Sequence, residues 1–216
     1  MRLIAFLSTI LNIFYVSDAY DPYPYNPTIH TLGNHGLWGK IHARMAPWFT
    51  RYIDRKVYGK NIRKHVLETE TANKRCLDIG CGVGFSTSSS DGSIGIDTSE
   101  AMIDRARRVF PNKKFAVGHG EYWDECEQYD IVTVMYLFHE APQMARKAIF
   151  EHAKSIAKEK VIIVDIAPDY TPSHSMLMGE PYVTEYLEHI QEDLSELEEH
   201  ILVPGHVHMW VHECGE

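Results

Sequence analysis

Short apolar runs alternate with segments of helical periodicity over residues 75–168, and this alternation limits the fold more than any other feature of the chain. The runs are rich in β-branched residues, as strands buried in a parallel sheet usually are. They read RCLDI (75–79), SIGID (93–97), KFAVG (114–118), YDIVTVMYLF (129–138) and KVIIVDIAP (160–168). Repeated strand–helix–strand order predicts an α/β fold with a doubly wound, mostly parallel sheet and right-handed crossovers.

Helices are predicted between these runs and ahead of them. Residues 99–109 follow an N-cap at Thr98 or Ser99, and residues 143–157 place alanines and isoleucines on one face. The first of these helices turns Met102, Ile103, Ala106 and Val109 inward. Apolar residues also recur at three- and four-residue spacing over 41–57, where Pro47 predicts two short helices or one kinked helix. A further helix is expected near 61–69.

A glycine-rich segment, KRCLDIGCGVGFST (74–87), ends the first strand. Ligands of doubly wound sheets bind at the carboxyl ends of strands, where this segment is predicted to lie. The glycines at 80, 82 and 84 give G-x-G-x-G, with Phe85 where a dinucleotide motif would have its last glycine, and no P-loop lysine follows. The pattern favours a nucleoside that lacks a pyrophosphate.

An aspartate at the end of the second strand supports this interpretation. Asp97 and Asp78 are expected at neighbouring strand ends, and one carboxylate can accept hydrogen bonds from both hydroxyls of a ribose. Asp97 could instead cap the helix over 99–109. Together with the glycine segment, the nucleoside interpretation is favoured.

Four segments in this order resemble the class I S-adenosylmethionine-dependent methyltransferases, of the broad small-molecule, ubiquinone-biosynthesis-like kind. They are LDIGCGVGFST, GIDTSEAMI, YDIVTVMYLFHEAP and KVIIVDIAP, and the resemblance covers about residues 75–168. It implies a Rossmann-like, mostly parallel, seven-stranded sheet with an antiparallel C-terminal hairpin and an N-terminal helical cap. It also implies S-adenosyl-L-methionine as the cofactor.

The resemblance assigns roles to individual positions. Gly80 and Gly82 would pass along the methionine part of the cofactor, with Asp78 orienting that end. Asp97 would hold the ribose diol, and Met102 would pack on the adenine. The full set implied for cofactor binding is Asp78, Gly80, Cys81, Gly82, Asp97, Thr98, Met102, His119, Gly120, Glu121 and Met135.

Two positions depart from the family pattern. The family has an acid after the glycine that ends the third strand, whereas this chain has His119, so the adenine contact could move to Glu121 or to the backbone. The segment FSTSSSDG (85–92) leaves room for little more than one helical turn, and serine is a poor helix former. A looser cofactor pocket is expected on that side.

Catalytic candidates follow the fourth strand. A general base is needed only where the acceptor has a proton to lose, and Tyr136, His139 and Glu140 are the candidates. His139 and Glu140 could instead cap and anchor the next helix. The segment lacks the Asn/Asp-Pro-Pro-Tyr/Phe motif of enzymes that methylate planar amino groups, which disfavours nucleobase and glutamine amide acceptors.

The C-terminal region is expected to face the acceptor. Apolar spacing predicts an amphipathic helix over 181–198, preceded by a Met- and aromatic-containing loop that suits a small, partly apolar acceptor. A hairpin should turn at Pro204 and Gly205. His206, His208 and His212 would then share one strand face, either as a transition-metal site or as histidines on a partly exposed edge; no metal ligand is assigned.

The N-terminal region is expected to lie outside the fold. An apolar run over 3–16 and the small residues Ser17 and Ala19 predict a cleaved targeting segment over 1–19, although a packed helix or an uncleaved anchor is an alternative. Residues 20–30 form a Pro/Tyr-rich linker. The methyltransferase domain then covers 31–216, with a cap (31–73), a cofactor-binding core (74–168) and an acceptor-side region (169–216). Entry into the secretory pathway or an organelle follows from the segment; otherwise the chain is expected in the cytoplasm.

The charge of the chain restricts its partners. A formal net charge of −9 disfavours nucleic acid, because phosphate binding needs a basic face. The basic stretch at 104–114 is better explained as a solvated helix face. The predicted activity is methyl transfer to an O-, C-, S- or N-centre of a small molecule, without a stable membrane span after processing. The alternatives are a non-catalytic cofactor-binding protein and an enzyme that uses another bond of the sulfonium.

Overall fold

The computed structural model describes residues 36–123 and 128–215. The predicted targeting segment (1–19), the linker (20–30) and the first residues of the predicted cap (31–35) lie outside the described residues.

A single seven-stranded sheet forms the centre of the described chain. Its strands are β1 (Cys76–Ile79), β2 (Ile94–Asp97), β3 (Lys114–Val117), β4 (Tyr129–Met135), β5 (Ala157–Ile166), β6 (Glu198–Val203) and β7 (Val207–Glu213). They lie in the order β3-β2-β1-β4-β5-β7-β6. The first five are parallel, whereas β7 is antiparallel to both β5 and β6. This confirms the predicted Rossmann-like sheet with an antiparallel C-terminal hairpin.

Helices flank the sheet on both faces. They are α1 (Gly36–Lys56), α2 (Ile62–Glu70), α3 (Glu100–Val109), α4 (Gln143–Ile156), α5 (His174–Gly179) and α6 (Val183–Asp193), with a 3₁₀ turn at Phe138–Glu140. Residues of α4 and α6 pack with one face of the sheet, where Trp210 is buried. Ile62 and Val66 of α2 pack against the other face. The strand order reverses between β1 and β4. The carboxyl ends of β1, β2 and β4 lie beside this topological switch point.

Several local predictions are confirmed and others need correction. Ser99 caps α3 by accepting a hydrogen bond from the backbone N–H of Met102, and the hairpin turns at Pro204 and Gly205. Only one helix forms around Pro47. Strand β4 ends at Met135 rather than at residue 138, and α6 ends at Asp193 rather than at residue 198.

The short helix expected after the glycine segment does not form. Residues 80–93, all of them described, adopt turns and irregular backbone. The serine and threonine hydroxyls there bond to side chains: Ser86 and Thr87 donate to Asp78, and Ser88 donates to Ser90. Such side-chain bonds offer local chain segments an alternative to helical backbone bonding.

None of the helices in the described ranges combines the length and the apolar composition that a membrane crossing needs.

Candidate functional site

A cavity of about 630 Å³ opens at the carboxyl ends of the parallel strands. Residues after β1, β2, β3, β4 and β5 line it, and α1 borders it on one side. This is the position at which doubly wound sheets bind ligands. Two chemically different groups of residues line it.

The first surface, here called the glycine wall, consists of Gly80, Gly82, Asp97, Thr98 and Met102. Gly80 and Gly82 have φ angles of +73° and +51°, a backbone conformation that favours glycine. A Cβ at Gly82 would meet no heavy atom within 4 Å, so the backbone there faces open space. The loop therefore lets a ligand approach the main chain closely.

Asp97 connects the glycine loop to helix α3. Its Oδ2 accepts a hydrogen bond from the backbone N–H of Gly82 at 2.8 Å, and its Oδ1 accepts one from that of Ser99 at 2.8 Å. The carboxylate also lines the cavity. A carboxylate offers about four lone-pair sites, so it is a group that can accept hydrogen bonds from hydroxyl groups of a ligand.

Asp78 is buried beneath the glycine wall and is not among the residues that line the cavity, and its implied role at the methionine end of the cofactor stays a prediction. It accepts hydrogen bonds from Thr87 (2.6 Å), Ser86 (2.8 Å) and Thr133 (3.3 Å). Burial raises the pKa of Asp78 to about 6, although these hydroxyls and the Lys113 charge act to lower it. Its part is to fix the loop.

Lys113 holds the same loop from the other side. Its Nζ donates to the carbonyl oxygen of Thr87 at 2.5 Å and lies 3.4 Å from that of Gly84. Burial lowers the pKa of Lys113, while the nearby Asp78 charge opposes this. A buried aspartate and a lysine thus fix a loop that lacks a helix of its own.

The residues after β3 contribute unequally. Gly120 and Glu121 line the cavity, as the resemblance implied, and so do Cys81 and Met135. His119 is not among the lining residues; its ring stacks on Tyr122 with centroids 4.9 Å apart. The adenine-edge contact stays a prediction; of these three residues, Gly120 and Glu121 lie at the cavity.

The second surface, here called the tyrosine wall, consists of Tyr58, Arg63, Tyr136 and Tyr170. The rings of Tyr58 and Tyr136 stack with centroids 6.2 Å apart, and the Arg63 guanidinium lies 4.1 Å from the centroid of the Tyr136 ring. Tyr136 adopts a φ of +61°, which is rare for a bulky side chain and ends β4 abruptly. Met176 and Glu180 continue this side of the cavity.

Both central tyrosines stay protonated over the physiological range. Burial raises the pKa of Tyr58 to about 12, partly opposed by the Arg63 charge. Burial likewise raises the pKa of Tyr136 well above its ordinary value. Their hydroxyls can therefore donate hydrogen bonds, but Tyr136 is a poor general base at neutral pH.

His139 is anchored by Asp165, a buried aspartate next to the last residue of strand β5. Its Nδ1 lies 2.5 Å from Oδ1 of Asp165, and the backbone N–H groups of Phe138 and His139 donate to Oδ2. Asp165 thus fixes both the histidine ring and the 3₁₀ turn that carries it. The Nε2 atom lies 3.9 Å from Glu140 and 3.7 Å from Glu180.

The surroundings of His139 favour its charged form. Burial lowers the pKa of His139, but the charge of Asp165, the hydrogen bond to it, and the charges of Glu140 and Glu180 raise it to about 10. At neutral pH the imidazole therefore carries both protons and has no free lone pair. His139 then acts as a buried cation, and the general-base role expected for it requires a neutral ring.

Helix α1 closes one side of the cavity. His42, Ala46, Phe49 and Thr50 line it, and the Arg51 guanidinium lies 5.5 Å from the centroid of the Phe85 ring in the glycine loop. The predicted cap region therefore contributes directly to the site.

Of the three C-terminal histidines, His208 and His212 are in phase on β7 and share one strand face, as predicted, whereas His206 lies before the strand. His206 lies in the turn near Tyr58 and Tyr170, His208 bonds to Glu199 at 2.7 Å, and His212 packs against Phe150. Strand β7 is not the edge, because β6 lies outside it. Within the described ranges, no group of three or more potential metal ligands comes together.

Sequence reasoning missed Lys113, Asp165, Tyr58, Arg63 and Glu180. Asp165 did leave a signal, since it is a charged residue inside an otherwise apolar buried strand, and such residues need a partner. The other four lie on loops or helix ends whose proximity depends on the tertiary fold. No local pattern marks them.

Comparison with known proteins agrees with this geometry. Residues 76–160 match a family model described as "Methyltransferase domain". Protein 235L of Invertebrate iridescent virus 6, whose name assigns it provisionally to the methyltransferases, is 32% identical over 115 residues. That match covers 50% of this chain and 42% of the relative, so the chain spans less than half the length of this curated relative.

Solved structures share the fold over most of the chain. The SAM-dependent methyltransferase TM1293 of Thermotoga maritima has a TM-score of 0.58 at 13% identity, covering 81% of this chain and 98% of that one. Magnesium protoporphyrin IX methyltransferase (ChlM) of Synechocystis PCC 6803, with bound SAH, has a TM-score of 0.54 at 15% identity, covering 82% and 98%. At such identities the likeness shows the fold.

Proposed function

We propose that this chain, whose residues 76–160 carry a class I S-adenosylmethionine-dependent methyltransferase domain, transfers a methyl group to a small-molecule acceptor. The observation that carries the proposal is the single cavity that both the glycine wall and the tyrosine wall line. The first surface suits a nucleoside cofactor, and the second suits an acceptor. The family match over the same strands supports it.

The glycine wall has the features that the cofactor requires. Gly82 faces open space, so the methionine part can lie along the loop backbone. Asp97 presents a carboxylate, the group suited to accept hydrogen bonds from the ribose hydroxyls, and Met102 offers an apolar surface to the adenine. Gly120 and Glu121 line the side where the base edge would lie. Asp78 and Lys113 hold the loop in position.

The chemistry places modest demands on the protein. When bound, S-adenosylmethionine supplies an electrophilic methyl group on a sulfonium. Methyl transfer is a direct displacement, so holding an acceptor atom in line with that group can supply much of the rate enhancement. The walls of the cavity provide this positioning.

The tyrosine wall favours a small acceptor with an aromatic or otherwise planar part. Tyr58, Tyr136 and Tyr170 line this side of the cavity with aromatic side chains, and Met176 adds an adaptable apolar surface. This combination can sandwich a ring and orient it with one or two hydrogen bonds.

A proton released by the acceptor would go to a carboxylate. Glu140 and Glu180 line the cavity and lie within 4 Å of Nε2 of His139, whose charge draws them together. The imidazolium itself cannot accept a proton at neutral pH. Glu140 and Glu180 are therefore the candidate bases for acceptors that must be deprotonated.

The test is an acceptor screen with the full chain and methyl-labelled S-adenosylmethionine. Small aromatic phenols, amines and thiols would be supplied in turn, and S-adenosylhomocysteine and labelled product would be measured by mass spectrometry. We expect equal amounts of both, and a large loss of both with Asp97→Ala. Binding without turnover for every acceptor would contradict a small-molecule methyltransferase, and methylthioadenosine release would indicate cleavage of another bond of the sulfonium.

A further inference from the structure

Helix α1 contacts the domain through its small side chains. Gly39, Ala43 and Pro47 are buried, and Ala43 packs with Val83 and Met102. A surface helix normally buries its large apolar residues and exposes its polar ones. In α1 the large apolar residues lie on a different face.

That face, here called the α1 stripe, consists of Leu37, Trp38, Met45, Trp48 and Tyr52. Their exposed fractions are 72%, 42%, 37%, 63% and 50%. With about 100° of rotation per residue, all five positions fall within an arc of about 100°. The Trp48 and Tyr52 rings stack on each other, with centroids 5.6 Å apart. A contiguous exposed apolar surface of this kind marks an interaction site.

Basic side chains run along one edge of the stripe. Lys40 and Arg44 of α1 line a groove of about 620 Å³ together with Arg105 and Arg108 of α3; Ala43, Glu100, Ala101 and Asp104 complete its lining. Arg55 and Lys56 add positive charge at the end of α1, whose single acidic residue, Asp54, is buried. This concentration of positive charge occurs in a chain with a net charge of −9.

We propose that the α1 stripe docks on a bilayer surface containing anionic lipid, with the helix lying in the plane of the interface. Tryptophan and tyrosine favour the headgroup level, and neighbouring lysine and arginine side chains attract anionic headgroups. His42 and Phe49, on an adjacent part of the same helix, line the cavity. Docking therefore sets the cavity opening beside the membrane.

Charge favours an anionic bilayer over two other partners, a second copy of the chain and the N-terminal apolar run. A symmetric pair of chains would bring two copies of the same basic groove together. The apolar run at residues 3–16 contains no acidic side chain that could pair with the groove. An anionic bilayer offers apolar and negative surface together.

Tryptophan fluorescence separates docking by the stripe from anchoring by the N-terminal segment. Two of the four tryptophans are in the stripe, Trp210 is buried in the core, and residues 1–35 contain none. The full chain is mixed with phosphatidylcholine–phosphatidylglycerol vesicles in which the phosphatidylcholine is brominated. We expect strong quenching that is lost in Trp38→Phe/Trp48→Phe and retained in the matched control Trp123→Phe.

Co-sedimentation with unbrominated vesicles tests the separate contributions of the aromatic rings and of the basic side chains to membrane binding. Trp48→Ser/Tyr52→Ser should weaken partitioning about tenfold, because two interfacial rings are lost. Lys40→Glu/Arg44→Glu should weaken it about thirtyfold on anionic vesicles and little on phosphatidylcholine alone. The control Met144→Ser/Ile201→Ser, which removes apolar residues that are similarly exposed elsewhere, should bind as the parent chain does.

Three results would overturn the proposal. The first is vesicle binding without quenching of the stripe tryptophans, which would assign anchoring to another segment. The second is equal binding by the stripe variants and the parent chain. The third is absence of vesicle binding together with dimers, seen in sedimentation velocity, that Trp48→Ser/Tyr52→Ser dissociates; the partner would then be a second copy.

Discussion

The two walls of the cavity are assembled in different ways. The glycine wall comes from one sequence motif and the strand after it, within residues 80–102. The tyrosine wall brings together Tyr58, Arg63, Tyr136 and Tyr170 from segments that are far apart in the sequence. The first can be recognised from local spacing, whereas the second exists only in the folded chain.

Two buried aspartates hold parts of the cavity, Asp78 the glycine loop and Asp165 the 3₁₀ turn with His139, but their partners differ. Asp78 accepts bonds from three neutral hydroxyls of Ser86, Thr87 and Thr133. Asp165 faces the His139 cation and three backbone N–H groups. Removing a charged partner leaves a buried charge uncompensated, whereas removing a neutral one costs a single hydrogen bond. The turn that Asp165 holds should therefore be more sensitive to mutation than the loop that Asp78 holds.

The largest effect is expected for Asp165→Ala. The change leaves the His139 cation and the backbone N–H groups of the 3₁₀ turn without their acceptor, so the free energy of unfolding should fall by about 4 kcal/mol. Urea denaturation followed by circular dichroism measures it, with the nearby exposed Asp169→Ala as the matched control. A loss as small as that of the control would contradict the anchoring role of Asp165.

The pH dependence of stability is the next largest effect. The pKa of His139 is raised from 6.5 to about 10 in the fold. Its contribution to stability is therefore fully present below pH 6.5 and is lost as the pH rises through about 10. Relative to His139→Gln, the parent chain should lose about 3 kcal/mol between pH 7 and pH 10. If the free energy of unfolding depended on pH in the same way in both proteins, His139 would be neutral.

Lys113→Met probes the support of the glycine wall. Loss of the bonds to the Gly84 and Thr87 carbonyls should cost about 2 kcal/mol of unfolding free energy. It should also weaken S-adenosylhomocysteine binding, because the loop is less well held. The control is Lys114→Met, at an exposed neighbouring position on β3. Unchanged stability and unchanged affinity would show that Lys113 does not hold the loop.

Tyr58→Leu is expected to have the smallest effect of these changes. It tests whether the two walls act independently. The change removes a ring that stacks on Tyr136, so KM for an acceptor found in the screen should rise about tenfold. The dissociation constant for S-adenosylhomocysteine should stay within about twofold, because Tyr58 is not part of the glycine wall. Equal losses on both measurements would show that the cavity is not divided in this way.

Much of the fold could be predicted from sequence because it depends on local patterns. The strand runs, the Ser99 cap and the turn at Gly205 each have a signature within a few residues, and all were confirmed. The G-x-G-x-G spacing located the loop, and the resemblance pointed to Asp97. The number of strands in the sheet came from the family resemblance.

The remaining features depend on tertiary contacts. The helix expected over 85–92 is absent because side-chain bonds with Asp78 and Lys113 replace helical backbone bonds in this loop. Lys113 is distant in sequence, and Asp78 is buried beneath the loop, so neither contact could be predicted from the local pattern. The charge state of His139 depends on Asp165, a strand away. The outward face of α1 has the same periodicity as a core-facing helix, so the pattern alone could not reveal its direction.

The central claim is that the glycine wall binds S-adenosylmethionine through Asp97. Isothermal titration of S-adenosylhomocysteine into the full chain, into Asp97→Ala and into the exposed-site control Asp91→Ala tests it most directly. The account predicts micromolar binding in the parent chain and the control, and a loss of about 100-fold in Asp97→Ala, since charge-assisted hydrogen bonds contribute about 1.5–3 kcal/mol each. Absence of binding in a folded parent chain, or equal binding by Asp97→Ala, would contradict it.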